Sequence, residues 1–384
     1  MPSSRAQKSF SQTMFKATRL TGVGKLLDAT RLIQRTLFGA EPSPTSAPPK
    51  PAPAANNLHA DKAPPPVIIL PAPTGHQPLP ETPPEMAPGR KASFTKHAFP
   101  FEGDSYPYRL YIPAATGDAA DQLMPLVVLL HGCKQDALDF ANGTAMNTLA
   151  GKHNTMVLYP EQTTSGNAMR CWNWFDPSHQ QAGRGEPGMI AALSQKIIAQ
   201  HGADPARVYV AGLSAGGAMA TVVAGVYPDL FAAVGVHSGL AAGAAQDMMS
   251  AFGAMRSGAK GHKTTALPTI VFHGTADTTV HPDNSDFVAD AALAAFKSSG
   301  LSLVKTKSRI ESSSKPGNPE HAERTMYSNA SGTPFVESWI IKAGPHAWSG
   351  GSAQGSYTDP DGPDASAAML AFFLRHEKGL AYAS

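Results

Sequence analysis

The sequence predicts a mainly parallel α/β sheet with helices on both faces, and three observations carry that prediction. Short, continuously apolar runs recur from residue 126 onward, and they alternate with segments of helical periodicity. One such run leads through a glycine–serine–glycine turn directly into the next helix. The apolar fraction, 42% of 384 residues, is enough to bury a sizeable core in one large or two ordinary domains. Several function classes drop out at once. The longest apolar runs, such as Leu126–Leu130, fall far short of the ~18 residues of a membrane-spanning helix. Two cysteines cannot build a disulfide scaffold or a four-cysteine zinc site. A net charge of only +2 argues against a whole-chain nucleic-acid binder.

That average hides a split. Residues 1–40 carry seven basic side chains against Asp28, a net +6, so residues 41–384 carry −4 to make up the overall +2. Leu26, Ile33 and Leu37 fall near one helical face, while Gly22 and Gly24 interrupt it, which predicts two short helical pieces. Residues 1–40 read as a basic amphipathic segment that contacts a granule or membrane surface, or alternatively as a solvated tail. Residues 41–93 read as a disordered linker, since 16 of the 34 prolines lie between Glu41 and Arg90. Its single apolar patch, Val67–Leu70, reads as an exposed segment rather than a strand.

Residues 94–380 form the α/β domain in this reading. Phe94–Phe99 and Tyr106–Ile112 flank a turn-forming Glu102-Gly103-Asp104-Ser105 and predict an antiparallel hairpin. Strands are expected at Leu126–Leu130, Thr155–Tyr159, Val208–Ala211, Ala233–His237, Thr269–His273 and Phe335–Ile341. Helices are expected through Met189/Leu193/Ile197, through Met219/Val222/Val223/Val226, and from a cap at Asp364 through Met369, Phe372 and Phe373.

The sharpest chemical signal is Gly212-Leu213-Ser214-Ala215-Gly216, between the strand Val208–Ala211 and the Met219–Val226 helix. Small flanking residues let so tight a turn pass, and they project the serine hydroxyl above the C-terminal edge of the sheet. A serine hydroxyl needs a base, and the base needs an orienting acid, in the chain order Ser, Asp, His for this kind of turn. Asp277 and His346 follow the strands Thr269–His273 and Phe335–Ile341, where those partners belong. Asp283 is the competing acid, and His273 and His281 are the competing histidines. The backbone N–H of Ala215 is one expected oxyanion donor. The other comes from the loop His131-Gly132-Cys133-Lys134-Gln135, with Cys133 as the candidate amide.

His131-Gly132-Cys133, Cys171-Trp172-Asn173-Trp174-Phe175, Gly212–Gly217 and Gly344-Pro345-His346-Ala347-Trp348 occur in an order that resembles the polyhydroxybutyrate (PHB) depolymerase-type esterases. The resemblance covers about residues 94–375 and implies an α/β-hydrolase fold with Ser214, Asp277 and His346 as the triad. It implies a serine esterase acting on poly- or oligo(3-hydroxyalkanoates), or alternatively a feruloyl or acetyl xylan esterase acting on polysaccharide esters. A non-catalytic alternative is a granule- or membrane-binding protein that docks through residues 1–40. The resemblance also suggests that Cys133 and Cys171 pair near the site, against the alternative of two reduced thiols. Trp172, Trp174 and Trp348 are candidates for substrate walls, with core packing as the ordinary alternative. Met248, Met249, Phe252 and Met255 form either a cover over the site or plain helix packing. No metal set or cofactor motif stands out, so no cofactor, metal or nucleic acid is expected, and the chain does not speak to oligomeric state. The resemblance suggests an extracellular protein. The lack of an ordinary secretory signal in residues 1–40 points instead to a cytoplasmic or granule-associated one.

Overall fold

The computed structural model describes residues 91–114, 122–261, 265–310 and 322–379. The basic segment 1–40 and the proline-rich stretch through residue 90, Val67–Leu70 included, lie outside the described residues.

A hairpin comes first, β1 (Ser93–Phe101) and β2 (Asp104–Ile112), paired antiparallel as the alternation of Tyr108 and Leu110 demands. β3 (Met124–Leu130), β4 (Met156–Pro160), β5 (Ala203–Leu213), β6 (Ala233–His237) and β7 (Thr269–Gly274) follow, each with helical connections. Then come β8 (Val304–Ile310), β9 (Ala322–Ser328) and β10 (Pro334–Ile341). The sheet order is β1-β2-β4-β3-β5-β6-β7-β10-β9-β8. The strands from β4 across to β10 run parallel, with an antiparallel pair at either edge. A two-stranded parallel ladder, β11 (Trp348–Ser349) with β12 (Thr358–Asp359), closes the loop after β10.

The helices are α1 (Ala137–Thr144), α2 (Met146–Lys152), α3 (Gly185–His201), α4 (Ala215–Val226), α5 (Met248–Ser257), α6 (Asp283–Ser298) and α7 (Ala365–Phe373). They cover both faces, which is why β3, β6 and β7 are buried on every residue. Leu126, Val128 and Leu130 of β3 pack with Met189 and Leu193 of α3 and Met219 of α4. Val127 and Leu129 point the other way, onto Phe140 of α1 and Met369 and Phe373 of α7. Asp364 caps α7 by accepting the Ala367 N–H at 2.8 Å, as its position predicts.

Among the elements that the sequence reading did not announce, two are instructive. Residues 283–298 form a sixteen-residue helix that the apolar periodicity did not announce. Its buried face is built mainly of Ala289, Ala292 and Ala295, with Val288 and Phe296, so its pattern is weak although its propensity is high. β8 is a strand with almost no apolar face. Lys305 lies over the Tyr327 ring and Lys307 pairs with Glu323, so this sheet edge carries charges, which discourages pairing with another chain.

Candidate active site

Parallel strands bring their C-terminal ends to one rim, and the loops that leave β3, β5, β7 and β10 carry the residues singled out above. Ser214 links β5 to α4 with φ 57° and ψ −120°, a backbone conformation that a residue with a side chain rarely adopts. Packing enforces it. A Cβ on Gly212 would meet Gly216 backbone atoms at 2.4 Å, and one on Gly216 would meet the Leu130 carbonyl oxygen at 2.1 Å. Only glycine lets this turn pass over the end of β3. The Ser214 N–H donates to the His237 carbonyl at 2.8 Å, and its side chain makes no capping bond to α4.

Asp277 and His346 meet directly. His346 Nδ1 lies 2.7 Å from Asp277 Oδ2, while Asp277 Oδ1 accepts the backbone N–H groups of Thr279 at 2.9 Å and Val280 at 2.8 Å. His273 Nε2 sits 3.3 Å from the same Oδ2 and 2.9 Å from the Val280 carbonyl. Burial pushes the Asp277 carboxyl up, but the bonds from His273 and His346 outweigh it and hold the carboxyl well below the usual carboxylate range. It is therefore an anion at neutral pH, and it holds His346 through Nδ1. The loops are stitched together beneath this pair: Ala276 N–H donates to the Gly344 carbonyl at 3.0 Å and Ala343 N–H to Thr275 Oγ1 at 2.8 Å. Asp283 and His281, the competitors, are exposed and lie 3.5 Å from each other, with neither at His346.

The loop after β3 lies against the serine turn, since a Cβ on Gly132 would stand 3.6 Å from the Ser214 Cβ. The N–H groups of Gly132 and Lys134 are used by Gln135 Oε1 (2.9 Å) and the Met169 carbonyl (2.7 Å). Among the described residues those of Cys133 and Ala215 have no partner, and Ala215 is the first residue of α4, where an unpaired donor is normal. Cys133 and Cys171 form a disulfide that closes a sequence separation of 38 residues. In the chain-entropy account such a closure contributes about 3–4 kcal/mol.

The tryptophans are placed differently from an open aromatic wall. Trp172, Trp174 and Trp348 are all buried. Trp172 Nε1 donates to the His131 carbonyl at 3.0 Å and Trp348 Nε1 to Ser366 Oγ at 3.0 Å, so both brace site loops from behind. Met248 and Met249 stand exposed on α5, while Ala251 and Ala254 pack inward with the partly buried Met255. Among the described residues no cluster of three or more His, Cys, Asp or Glu side chains could hold a metal ion.

The sequence reading missed His237. It ends β6, is fully buried, and joins the serine turn to the His346 loop: its carbonyl holds Ser214 N–H and its Nε2 accepts Ser349 N–H at 3.0 Å. A lone histidine ending an apolar strand gives no signal of its own. Burial pushes His237 down to about 3, and pushes His131 and His376 down to about 4 each. An unfolded chain takes up protons at these histidines near pH 6.5 while the folded one refuses them, so stability is full above that pH and falls as acid is added. Each group removes about 1.4 kcal/mol per pH unit between about pH 6.5 and its folded value. The expected result is a Tm roughly 10 °C or more lower at pH 4.5 than at pH 7.5 in calorimetry at fixed ionic strength. Equal values would contradict the neutral, buried state of these three side chains.

With this geometry in view, the comparisons align. A family model described as Esterase PHB depolymerase matches residues 106–305, just over half the chain, a span that contains Ser214 and Asp277 and ends before His346. Poly(3-hydroxyalkanoate) depolymerase C of Paucimonas lemoignei is 33% identical over 232 residues, which cover 56% of this chain and 53% of that protein. Feruloyl esterase B of Thermothelomyces thermophilus is 31% identical over 194 residues, which cover 45% of this chain and 64% of its own. The chain thus spans about half the length of the first relative and under two thirds of the second. Among solved structures, an acetyl xylan esterase from Aspergillus awamori shares the fold with a TM-score of 0.54 at 19% identity, over 74% of this chain and 99% of that one.

Proposed function

The chain belongs to the Esterase PHB depolymerase family, and from that premise we propose that it hydrolyses carboxylic esters with Ser214, His346 and Asp277 as its catalytic residues. Ser214 Oγ attacks the ester carbonyl carbon as His346 Nε2 takes its proton. Asp277 keeps the imidazole in the tautomer with hydrogen on Nδ1 and stabilises the cation that forms. The tetrahedral oxyanion is met by the N–H groups of Ala215 and Cys133. Collapse of that intermediate expels the alcohol, which leaves with the proton held on His346. Water, deprotonated by the same nitrogen, then releases the acyl group as the acid and restores Ser214. Residues 94–380 constitute the catalytic unit in this reading.

The observation that supports it most is the 2.7 Å bond from His346 Nδ1 to a carboxylate already fixed by two backbone N–H groups. So costly an arrangement of a buried anion orients one imidazole through its Nδ1. Treatment with a fluorophosphonate followed by peptide mapping tests the nucleophile without a choice of substrate: the adduct is expected on Ser214, and a label on another residue would sink the assignment. For the acyl group, 3-hydroxyalkanoate esters are proposed, on the strength of the family and of the Paucimonas relative. Parallel assays on amorphous poly(3-hydroxybutyrate), methyl ferulate and acetylated xylan decide among the ester classes that the relatives' names span.

A further inference from the structure

Glu186, in the first turn of α3, is only 3% exposed, and among the described residues no lysine or arginine pairs with it. Its neighbours are amides and one histidine. The side-chain amides of Gln162 and Asn173 donate to Oε1, the latter at 2.6 Å. The Asn173 backbone N–H donates to Oε2 at 2.7 Å, and His179 Nδ1 lies 3.4 Å from that oxygen. A buried carboxylate without a full cationic partner is expensive, and it persists where a neutral group cannot replace it. Here donors converge on both oxygens, an arrangement that a carboxylate side chain accepts and a glutamine amide cannot.

Gln162 and Asn173 bound a segment that holds the loop after β3 at several points. The Gln162 backbone N–H donates to His131 Nε2 at 3.0 Å. Trp172 holds the His131 carbonyl, the Met169 carbonyl receives Lys134 N–H, and Cys171 is bonded to Cys133. A backbone N–H can only donate, so His131 Nε2 is the bare nitrogen and its Nδ1–H must donate to the Gly132 carbonyl, 2.7 Å away. The loop that presents Cys133 N–H therefore has its shape set from the 162–173 segment, and both ends of that segment end on one carboxylate.

We propose that Glu186 is a positioning residue for the oxyanion site: its carboxylate clamps the two ends of the 162–173 segment and so aims the Cys133 N–H. The inference rests on the serine-esterase reading, and its test separates the two. In the full-length protein, Glu186→Gln puts an NH₂ where a donor already points. The expected result is a fall in kcat of about 10–10²-fold, less than the 10²–10³-fold cost of losing an oxyanion donor outright. KM for a p-nitrophenyl ester stays within about threefold. The Ki of a boronic acid that forms a tetrahedral adduct on the serine rises by the same factor as kcat/KM falls. Asn173→Ala, which removes one half-buried partner, gives the same signature at smaller size and serves if the first variant does not fold. A carboxylate that merely stabilises the start of α3 would lower Tm and leave both kcat and Ki in place, and that result in the folded variants overturns the proposal. Wild-type hydrolysis that survives Ser214→Ala would instead remove the esterase reading itself.

Discussion

Replacing Ser214 with alanine is expected to lower kcat for p-nitrophenyl ester hydrolysis by about 10⁴–10⁶-fold, with KM changed by no more than about threefold. The expectation is large because the hydroxyl is the attacking atom in the proposed reaction, and because the substitution disturbs little else. The strained φ of 57° at residue 214 is imposed by the Gly212–Gly216 crossing and by the N–H bond to the His237 carbonyl, and alanine keeps both. The Ser214 side chain gives α4 no cap, so its loss leaves that helix start as it is. The thermal midpoint should therefore stay within a few degrees of wild type, which separates lost chemistry from lost fold. What activity remains should come from the oxyanion donors and substrate binding, about 10³-fold over water. Hydrolysis close to the wild-type rate, with mass spectrometry excluding wild-type contamination, would show that another group attacks.

How much of this was legible in the chain follows from what each residue competes against. β3, β6 and β7 are buried on every residue, and so continuous an apolar run has few other homes. The serine turn was legible because glycine at 212 and 216 answers a steric demand that no other residue meets. The choice of Asp277 over Asp283 was harder. Both follow β7 at short range, and only the coordinates show Asp277 turned under His346 while Asp283 opens α6 in solvent. The tryptophans stayed open in the sequence because an indole suits a substrate wall and a packed loop brace equally well, and the structure buries all three. Glu186 and His237 could not be found from pattern at all. A single polar residue at the end of an apolar element reads as an ordinary surface position until its partners, distant in sequence, are brought to it.

The second large effect is expected at Asp277→Asn, and its direction follows from which oxygen is held by what. Oδ1 receives the N–H groups of Thr279 and Val280, neither of which can accept a bond, so the asparagine must place its carbonyl oxygen there. Its NH₂ then takes the Oδ2 position, 2.7 Å from His346 Nδ1 and 3.3 Å from His273 Nε2. Facing a donor, His346 turns to the tautomer with a bare Nδ1 and its hydrogen on Nε2, and that nitrogen can no longer take a proton from Ser214. His273 cannot adapt as easily, because its Nε2–H is also used by the Val280 carbonyl and its Nδ1 is buried with no partner among the described residues. The expected outcome is a fall in kcat of about 10⁴-fold near neutral pH, with KM little changed. Raising the pH should recover part of the loss, as hydroxide replaces the missing base. Nitrogen-15 chemical shifts of His346 should exchange between its two ring positions relative to wild type. A variant that keeps the wild-type tautomer and rate would mean that the carboxylate only anchors the loop after β7, and Asp277 would lose its place in the proposed reaction.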